Sequence, residues 1–350
     1  MTRKSQKITK SLKSPAIKII VPTLLGLGVV VWLFAREFSL EGFRSIRWDA
    51  TAFAGIALAL FAVGGRELGL TWRFRALTER QLSWRRAFIV AMLCEFTSSV
   101  TPTTAGGGAM SMAFMKREGI PMSRGAVLTI STLFLDEAFF VVMCPLLFLF
   151  IPGNQIFGFA PGTVGAGIRV AFWIVYVIIC LIAIALFWSI FVRPGAIGTF
   201  LASVTRLRPL RRWHRDAVEL RSGMVATGID LRRRPAGWWT QSIAATVMTW
   251  VCRYLVVNAL FLGFAPEASQ GVVFARQGVV WTLLTVSPTP GGSGLSEWLF
   301  ASYYGDLIAD ASMVLVIAVI WRLITYYIYL AAGAFVIPAW LRHAPAQRRK

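Results

Sequence analysis

Val100-Thr101-Pro102-Thr103-Thr104-Ala105-Gly106-Gly107-Gly108 and Val286-Ser287-Pro288-Thr289-Pro290-Gly291-Gly292-Ser293-Gly294 follow one pattern, V-[ST]-P-T-x-x-G-x-G, with their first prolines 186 residues apart. Proline breaks the helical ladder, and glycine lets the chain turn sharply. Each motif interrupts an apolar stretch, 88–117 and 271–304. Neither limb of such a stretch is long enough to cross a bilayer. Residues 88–100 as a helix reach about 20 Å at 1.5 Å per residue, against ~30 Å of hydrocarbon. The two stretches are therefore read as helical hairpins that enter and leave on the same side.

The rest of the chain agrees with a bilayer as solvent. Of 350 residues, 57% are hydrophobic and only 15% charged, with mean hydropathy +0.65, an excess of apolar residues over ordinary soluble domains. Six stretches are long and apolar enough to span: about 16–35, 50–70, 125–151, 168–192, 237–262 and 311–338. No short apolar leader ends in a small-residue cleavage site, so no removable signal peptide is expected. The predicted fold is an all-α polytopic membrane protein of about six full spans plus two re-entrant hairpins.

Loop charge sets the orientation, since Lys and Arg favour the cytoplasmic side. The start carries Arg3, Lys4, Lys7, Lys10, Lys13 and Lys18, and is placed inside. Loop 36–49 is mixed and placed outside. Loop 71–87, with Arg73, Arg75, Arg80, Arg85 and Arg86, is inside, and so are Lys116, Arg117 and Arg124 after the first hairpin. Loop 152–167 carries no charge and is outside. Loop 193–236, with ten Arg, is inside, either as a solvated loop or as an interfacial helix on an anionic membrane surface. Glu267, Asp306 and Asp310 flank the second hairpin, which puts both its ends outside. The basic tail returns the C-terminus to the cytoplasm. Treating both hairpins as full crossings would put Lys116, Arg117 and Arg124 outside.

The first hairpin thus enters from inside and the second from outside. That is an inverted-topology repeat: 1–167, with spans 16–35 and 50–70, hairpin 88–117 and span 125–151; and 168–350, with span 168–192, the basic loop, span 237–262, hairpin 271–304 and span 311–338. Transporters with midplane sites share this plan. The 186-residue offset also pairs charges within spans, Glu67 with Arg253 and Asp136 with Arg322. Charges at membrane depth face a partner or a cavity. A pseudo-twofold axis predicts ion pairs Glu67–Arg253 and Asp136–Arg322, holding the halves together or acting as a gate or headgroup contact. Arg66 is read as a helix-end residue reaching for the interface, and Glu95 has no evident partner.

At the hairpin tips, Pro102, Gly106, Gly107 and Gly108, and Pro288, Pro290, Gly291, Gly292 and Gly294, expose backbone N–H groups at the start of each return limb. Bare amides and a helix N-terminus make an anion site; a tight packing corner needing small residues is the other reading. Arg253 and Arg322 add positive field. Glu297, in the first turn of the second return limb, suits a cap, an arginine partner or a contact to a headgroup amine. Asp136 and Glu137 are adjacent, so they face different sides of a helix and form no catalytic dyad; Glu137 is expected, with Glu67 and Asp136, in a gate or an ion pair.

Several function classes are excluded. The net charge of +20 sits beside the spans and matches anionic headgroups rather than nucleic acid. Cys94, Cys144, Cys180 and Cys252 lie in apolar segments without paired spacing, and His214 and His343 lie in basic loops. No metal site, cofactor or catalytic residue is expected. No G-x-x-x-x-G-K-[ST] loop is present, so movement of a substrate would run downhill or be coupled to an ion or the membrane potential.

Pro288-Thr289-Pro290-Gly291-Gly292-Ser293-Gly294-Leu295-Ser296-Glu297 resembles the P-x-P-G-G-x-G-x-x-E stretch of the lysylphosphatidylglycerol synthase transmembrane-region family, also called flippase-like domain proteins. The Pro102 segment and Trp321-Arg322 are also similar. The resemblance implies a bacterial inner-membrane bundle that moves aminoacylated phospholipids or other polar lipids between leaflets. It carries over to Pro288, Pro290, Gly291, Gly292, Gly294, Glu297 and Arg322. The chain departs from the family where Gly107-Gly108-Ala109-Met110 lacks an acid and an arginine, and where Asp136-Glu137 stands for an acid–arginine pair. No stretch here houses a soluble aminoacyl-transferase domain. The expectation is a flippase or scramblase for an anionic or zwitterionic lipid, and not an enzyme. The alternatives are a membrane-embedded enzyme on lipid phosphates or glycolipids, and a non-transporting partner of a lipid-modifying enzyme.

Overall fold

A computed structural model describes residues 48–101, 105–158, 162–193, 196–206, 214–308 and 311–343. Span 16–35, Pro102, Asp310, Trp213 and the last basic residues lie outside them. The described residues are helical, without a β-strand. In chain order the helices are α1 Ala50–Leu77, α2 Trp84–Val100, α3 Ala105–Arg117, α4 Met122–Phe150, α5 Gly153–Phe157, α6 Gly162–Phe187, α7 Ala196–Val204, α8 His214–Arg232, α9 Ala236–Phe264, α10 Gln270–Leu284, α11 Leu295–Tyr304, α12 Ala311–Arg322 and α13 Ile328–His343. Short π-helical turns, Trp188–Val192 and Leu323–Tyr327, follow α6 and α12.

Five helical stretches are long and apolar enough to cross a membrane: Ala50–Leu77, Met122–Phe150, Gly165–Val192, Ala236–Phe264 and Met313–Ile337. They coincide with five of the six spans read from the sequence. Local chemistry sets their ends. Asp49 caps α1, accepting from Ala52 N at 2.9 Å, and Thr51 Oγ1 and that amide hold its exposed carboxyl below the usual carboxylate range. α2 stops at Val100 because Thr101, ahead of Pro102, is extended (φ −105°, ψ 146°). Pro121 and Pro235 fix the turns before α4 and α9. α6 is almost wholly apolar and exposes Val170, Trp173, Ile174, Val177, Leu181 and Ile184. An apolar surface of that extent fits lipid, not water.

The spine is the pair α1 and α9. Gly55 faces Gly263, Gly65 faces Cys252 and Gly69 faces Thr249. Numbers rise on one helix as they fall on the other, so the two run antiparallel. A methyl at Gly55 would lie 2.6 Å from Gly263 Cα, and one at Gly69 would lie 2.9 Å from Thr249 N. Small residues let the backbones meet, as membrane helices commonly require.

Two apolar cores lie at opposite ends of this spine. Leu70, Phe74 and Leu77 of α1 pack with Val90 and Leu93 of α2 and with Met115 of α3. Val256, Leu260 and Phe261 of α9 pack with Val273 and Val280 of α10 and with Phe300 of α11. Because α1 and α9 are antiparallel, the helix–break–helix unit α2–α3 sits at one end of the pair and α10–α11 at the other. The element bounds repeat with the motif offset. Adding 186 to Ala50–Leu77 gives 236–263, against α9 at Ala236–Phe264, and adding it to Trp84–Val100 gives 270–286, against α10 at Gln270–Leu284.

The described residues of basic loop 193–236 are largely helical. The loop holds α7 and α8, and α8 packs on α4 through buried Met224 and Leu231 and through Gly223 against Ser123. Glu79 pairs with Arg124, and with Arg234 at 2.8 Å, tying the ends of α1, α4 and α8.

Candidate functional site

Between the two cores lies a cavity of about 190 Å³, lined from both ends of the spine. That is more than tenfold the roughly 10–15 Å³ needed for one water on this measure. The first turn of α3 reaches it through Gly107 and Gly108, and the second break through Ser287, Thr289, Gly291 and Gly292. Charge is concentrated on its wall: Arg66, Arg73, Arg253 and Arg322 against Glu95, Asp136 and Glu137. In water such pairs are worth little. Inside a membrane bundle each charge needs a partner, and a single unpaired one costs several kcal/mol.

The partners differ from the twofold pairing expected from the sequence. Asp136 meets Arg73 Nη1 at 2.5 Å and accepts from Trp250 Nε1 at 2.8 Å. Arg322 is taken by its own half: Nε lies 2.6 Å from Glu297, Nη1 donates to Gly291 O at 3.0 Å, and Nη2 donates to Ser293 Oγ at 3.1 Å. Glu67 lies 3.2 Å from Arg66 and accepts from Tyr329 Oη at 2.6 Å. Arg253 turns to Glu95 at 3.4 Å. The cause is helix rotation. Arg66 and Arg73 stand two turns apart on one face of α1, nearer to Glu95 and Asp136 than the counterparts on α9 and α12 are.

Arg66 is not a snorkelling helix-end residue. It is only 2% exposed, pairs with Glu95 and stacks 4.6 Å from the Tyr329 ring centroid. Glu95, without an evident partner in the sequence, is the acid that Arg66 and Arg253 share. Arg253 sits between two indoles, 4.7 Å from the Trp250 centroid and 4.6 Å from that of Trp281. Its Nε is buried without a hydrogen bond. The guanidinium is therefore held in position by ring faces, and only one shared carboxylate occupies its donors.

The second break is a buttressed turn. Gly291, Gly292 and Gly294 have φ of +57°, +74° and +82°. A methyl at Gly291 would meet the Tyr326 ring, which itself lies 3.9 Å beneath the Arg322 guanidinium. The amides expected to be bare are largely engaged. Gly292 N donates to Thr289 O, Ser293 N to Pro290 O, both at 3.1 Å, and Gly294 N to Glu297 Oε2 at 2.7 Å. Glu297 is thus both cap and arginine partner. Positive field in the cavity comes from side chains more than from the backbone of this tip.

The remaining expected residues divide by location. Pro288, Pro290 and Gly294 are exposed on the outer side of the break, and Glu67, Glu297 and Gly294 do not line the cavity. Gly106 is the second residue of α3, and Gly107 is pressed against α2, where a methyl would lie 2.5 Å from Cys94 O. Asp136 and Glu137 line the same cavity despite being neighbours on α4. Sequence reading missed Arg73, which counts as a loop charge by position, and the aromatic set Trp250, Trp281, Tyr326 and Tyr329. The i to i+7 spacing of Arg66 and Arg73, and Trp250 one turn before Arg253, were the available signals. Arg276 was also missed. It is 2% exposed and fixes α10 to Asp306, to Tyr303 O and to Gln155 O (2.9 Å), well away from the cavity.

Long apolar helices around a buried, charge-lined cavity define a polytopic membrane protein with an internal polar site. The chain belongs to the family described as lysylphosphatidylglycerol synthase TM region, which it matches over residues 19–333. It is also similar to a protein described as a UPF0104 membrane protein from Archaeoglobus fulgidus, at 24% identity over 283 residues, which cover 77% of this chain and 81% of that protein. No solved structure matches it.

Proposed function

We propose that this protein moves a polar lipid with an anionic or zwitterionic headgroup between leaflets, the headgroup crossing through the cavity while the acyl chains stay in the bilayer. A lipid-related membrane role follows from the family. Translocation is our reading, and one observation carries it: a charge-lined cavity between two helix breaks at opposite ends of an antiparallel spine, with Arg253 stacked on two indoles and its Nε free. In this reading α2–α3 and α10–α11 are re-entrant hairpins from opposite leaflets, and the halves form an inverted repeat. Irregular backbone at membrane depth is tolerated where it lines a watery cavity, and rocking of two halves about such a site gives alternating access. The phosphate displaces Glu95 from Arg253, while Arg322 keeps the Gly291 turn in shape. Both termini are cytoplasmic, the membrane is the cell's inner membrane, and α8 lies at its anionic surface.

Purified protein in vesicles of phosphatidylglycerol and phosphatidylethanolamine, each with a trace of headgroup-labelled lipid, tests the reading. Wild type should bring outer-leaflet label inside faster than protein-free vesicles, and Arg253→Ala should slow it at least about tenfold, the equivalent of one lost charged hydrogen bond of ~1.4 kcal/mol or more. Equal rates with and without protein would sink the proposal, and chemical turnover of the label would favour a membrane-embedded enzyme.

A further inference from the structure

Among the described residues, every acid on the cavity's charge network has a cation except one. Glu95 has Arg66 and Arg253, Asp136 has Arg73, Glu67 has Arg66, and Glu297 has Arg322. Glu137 lines the cavity, and its Oε2 is buried without a hydrogen-bond partner. The elements packed on α4 bring it no counter-charge. Arg73 of α1 is used by Asp136, the acid beside Glu137 on α4 itself, and Arg253 of α9 and Glu95 of α2 are used by each other and Arg66. From α10 comes Trp281, and from α2 also Cys94. α6 presents Tyr176, whose hydroxyl donates to Val141 O. α3 meets α4 through Ser111 and Thr129, and α8 meets it at Ser123, about 20 Å along the helix from Glu137 at 1.5 Å per residue.

We infer that Glu137 is a proton-binding site, and that a proton travels with the headgroup in the same direction. The inference rests on the transport reading above. With the other charges paired, an ionised Glu137 leaves the network of four arginines and five acids one negative charge in excess, and an anionic headgroup entering beside Glu137 adds another. Like charges held together out of water repel strongly. Protonation of Oε2 removes the repulsion, so proton and headgroup favour each other's binding, and by linkage the preference is mutual. In the cycle, Oε2 takes one proton from water on one side, forming an O–H bond. That bond breaks toward water on the other side after the headgroup has crossed. For a singly anionic lipid the step carries no net charge.

Two measurements test this on the full chain. First, infrared difference spectra of purified protein between alkaline and acidic buffer should show a titrating carboxyl C=O band that is lost in Glu137→Gln and returns, shifted, in Glu137→Asp. An unchanged band in Glu137→Gln overturns the assignment whatever lipid is moved. Second, in vesicles with labelled phosphatidylglycerol, each unit of imposed pH difference should shift the steady-state leaflet ratio up to about tenfold beyond protein-free vesicles, with the label accumulating on the alkaline side. Glu137→Gln, which removes no paired charge, should still move label but leave the ratio near one. Wild-type movement that ignores the gradient defeats the proton site alone, whereas no wild-type movement defeats the transport reading with it.

Discussion

Arg73 and Asp136 illustrate how a buried pair behaves. Each holds the other's charge in a setting where neither is affordable alone, with Trp250 completing Asp136's contacts. Arg73→Met should destabilise the protein by roughly 3 kcal/mol in thermal or denaturant unfolding in detergent, because it strands Asp136. The double variant Arg73→Met/Asp136→Leu should regain most of that loss. If the double variant is as unstable as the sum of the singles, the pair is not coupled. Gly291 makes a different demand. Its φ of +57° and the Tyr326 ring leave no place for Cβ. Gly291→Ala should cost at least ~1 kcal/mol from the backbone alone, and adding Tyr326→Ala should recover only the steric part. The proline–glycine motif itself was legible from residue type, since few residues other than glycine serve such a turn. Which partner Arg322 or Arg253 would choose was not, because that depends on helix rotation by tens of degrees, which spacing does not fix.

α1 and α9 meet along a seam of small residues, and the seam sets their separation. Gly69→Leu should drive the two helices apart and remove folded protein from detergent extracts, as judged by size-exclusion profile. Gly64→Ala, on the same helix with no atom within 4 Å of an added methyl, should leave stability unchanged or raise it by up to ~1 kcal/mol, since Ala favours the helix over Gly. A loss at Gly64 matching that at Gly69 would mean that the seam contact does not govern α1. The spans were readable because long, mostly apolar stretches, which fold here as helices of 25 residues or more, admit few other structures. α8 was legible only as one of two readings, a solvated loop or an interfacial helix, because His214–Arg232 is strongly charged and its apolar side chains are scattered. Its packing on α4 depends on Met224, Leu231 and the close approach of Gly223 to Ser123, a tertiary fit with no periodic signature. At the same end, Glu79 binds Arg124 and Arg234 at partly exposed positions. Glu79→Gln should therefore lower stability by only about 1 kcal/mol, a value that raised salt should shrink.

The described helices gather around one polar interior. The offset of 186 residues found in the motif recurs in the helix bounds, and antiparallel packing of α1 on its counterpart α9 is what a twofold axis in the membrane plane would produce. At this level the sequence offers two independent signals, loop charge and motif repetition, and both point to an inverted repeat. The chemistry of the interior was only half legible: the charges were visible, their network was not. The topology predicts that cysteines replacing Lys116 and Arg124 resist a membrane-impermeant thiol reagent applied to intact cells, whereas one replacing Asp306 reacts. The most direct test of a lipid path through the middle is a single cysteine in place of Ser98, which lines the cavity, in a chain whose four native cysteines are replaced. If the cavity opens in turn to each side, that cysteine should react with the impermeant reagent in both right-side-out and inside-out vesicles, and more slowly once Arg253 is changed to Ala. Reaction from one side only would contradict passage through the cavity and leave it a closed polar chamber.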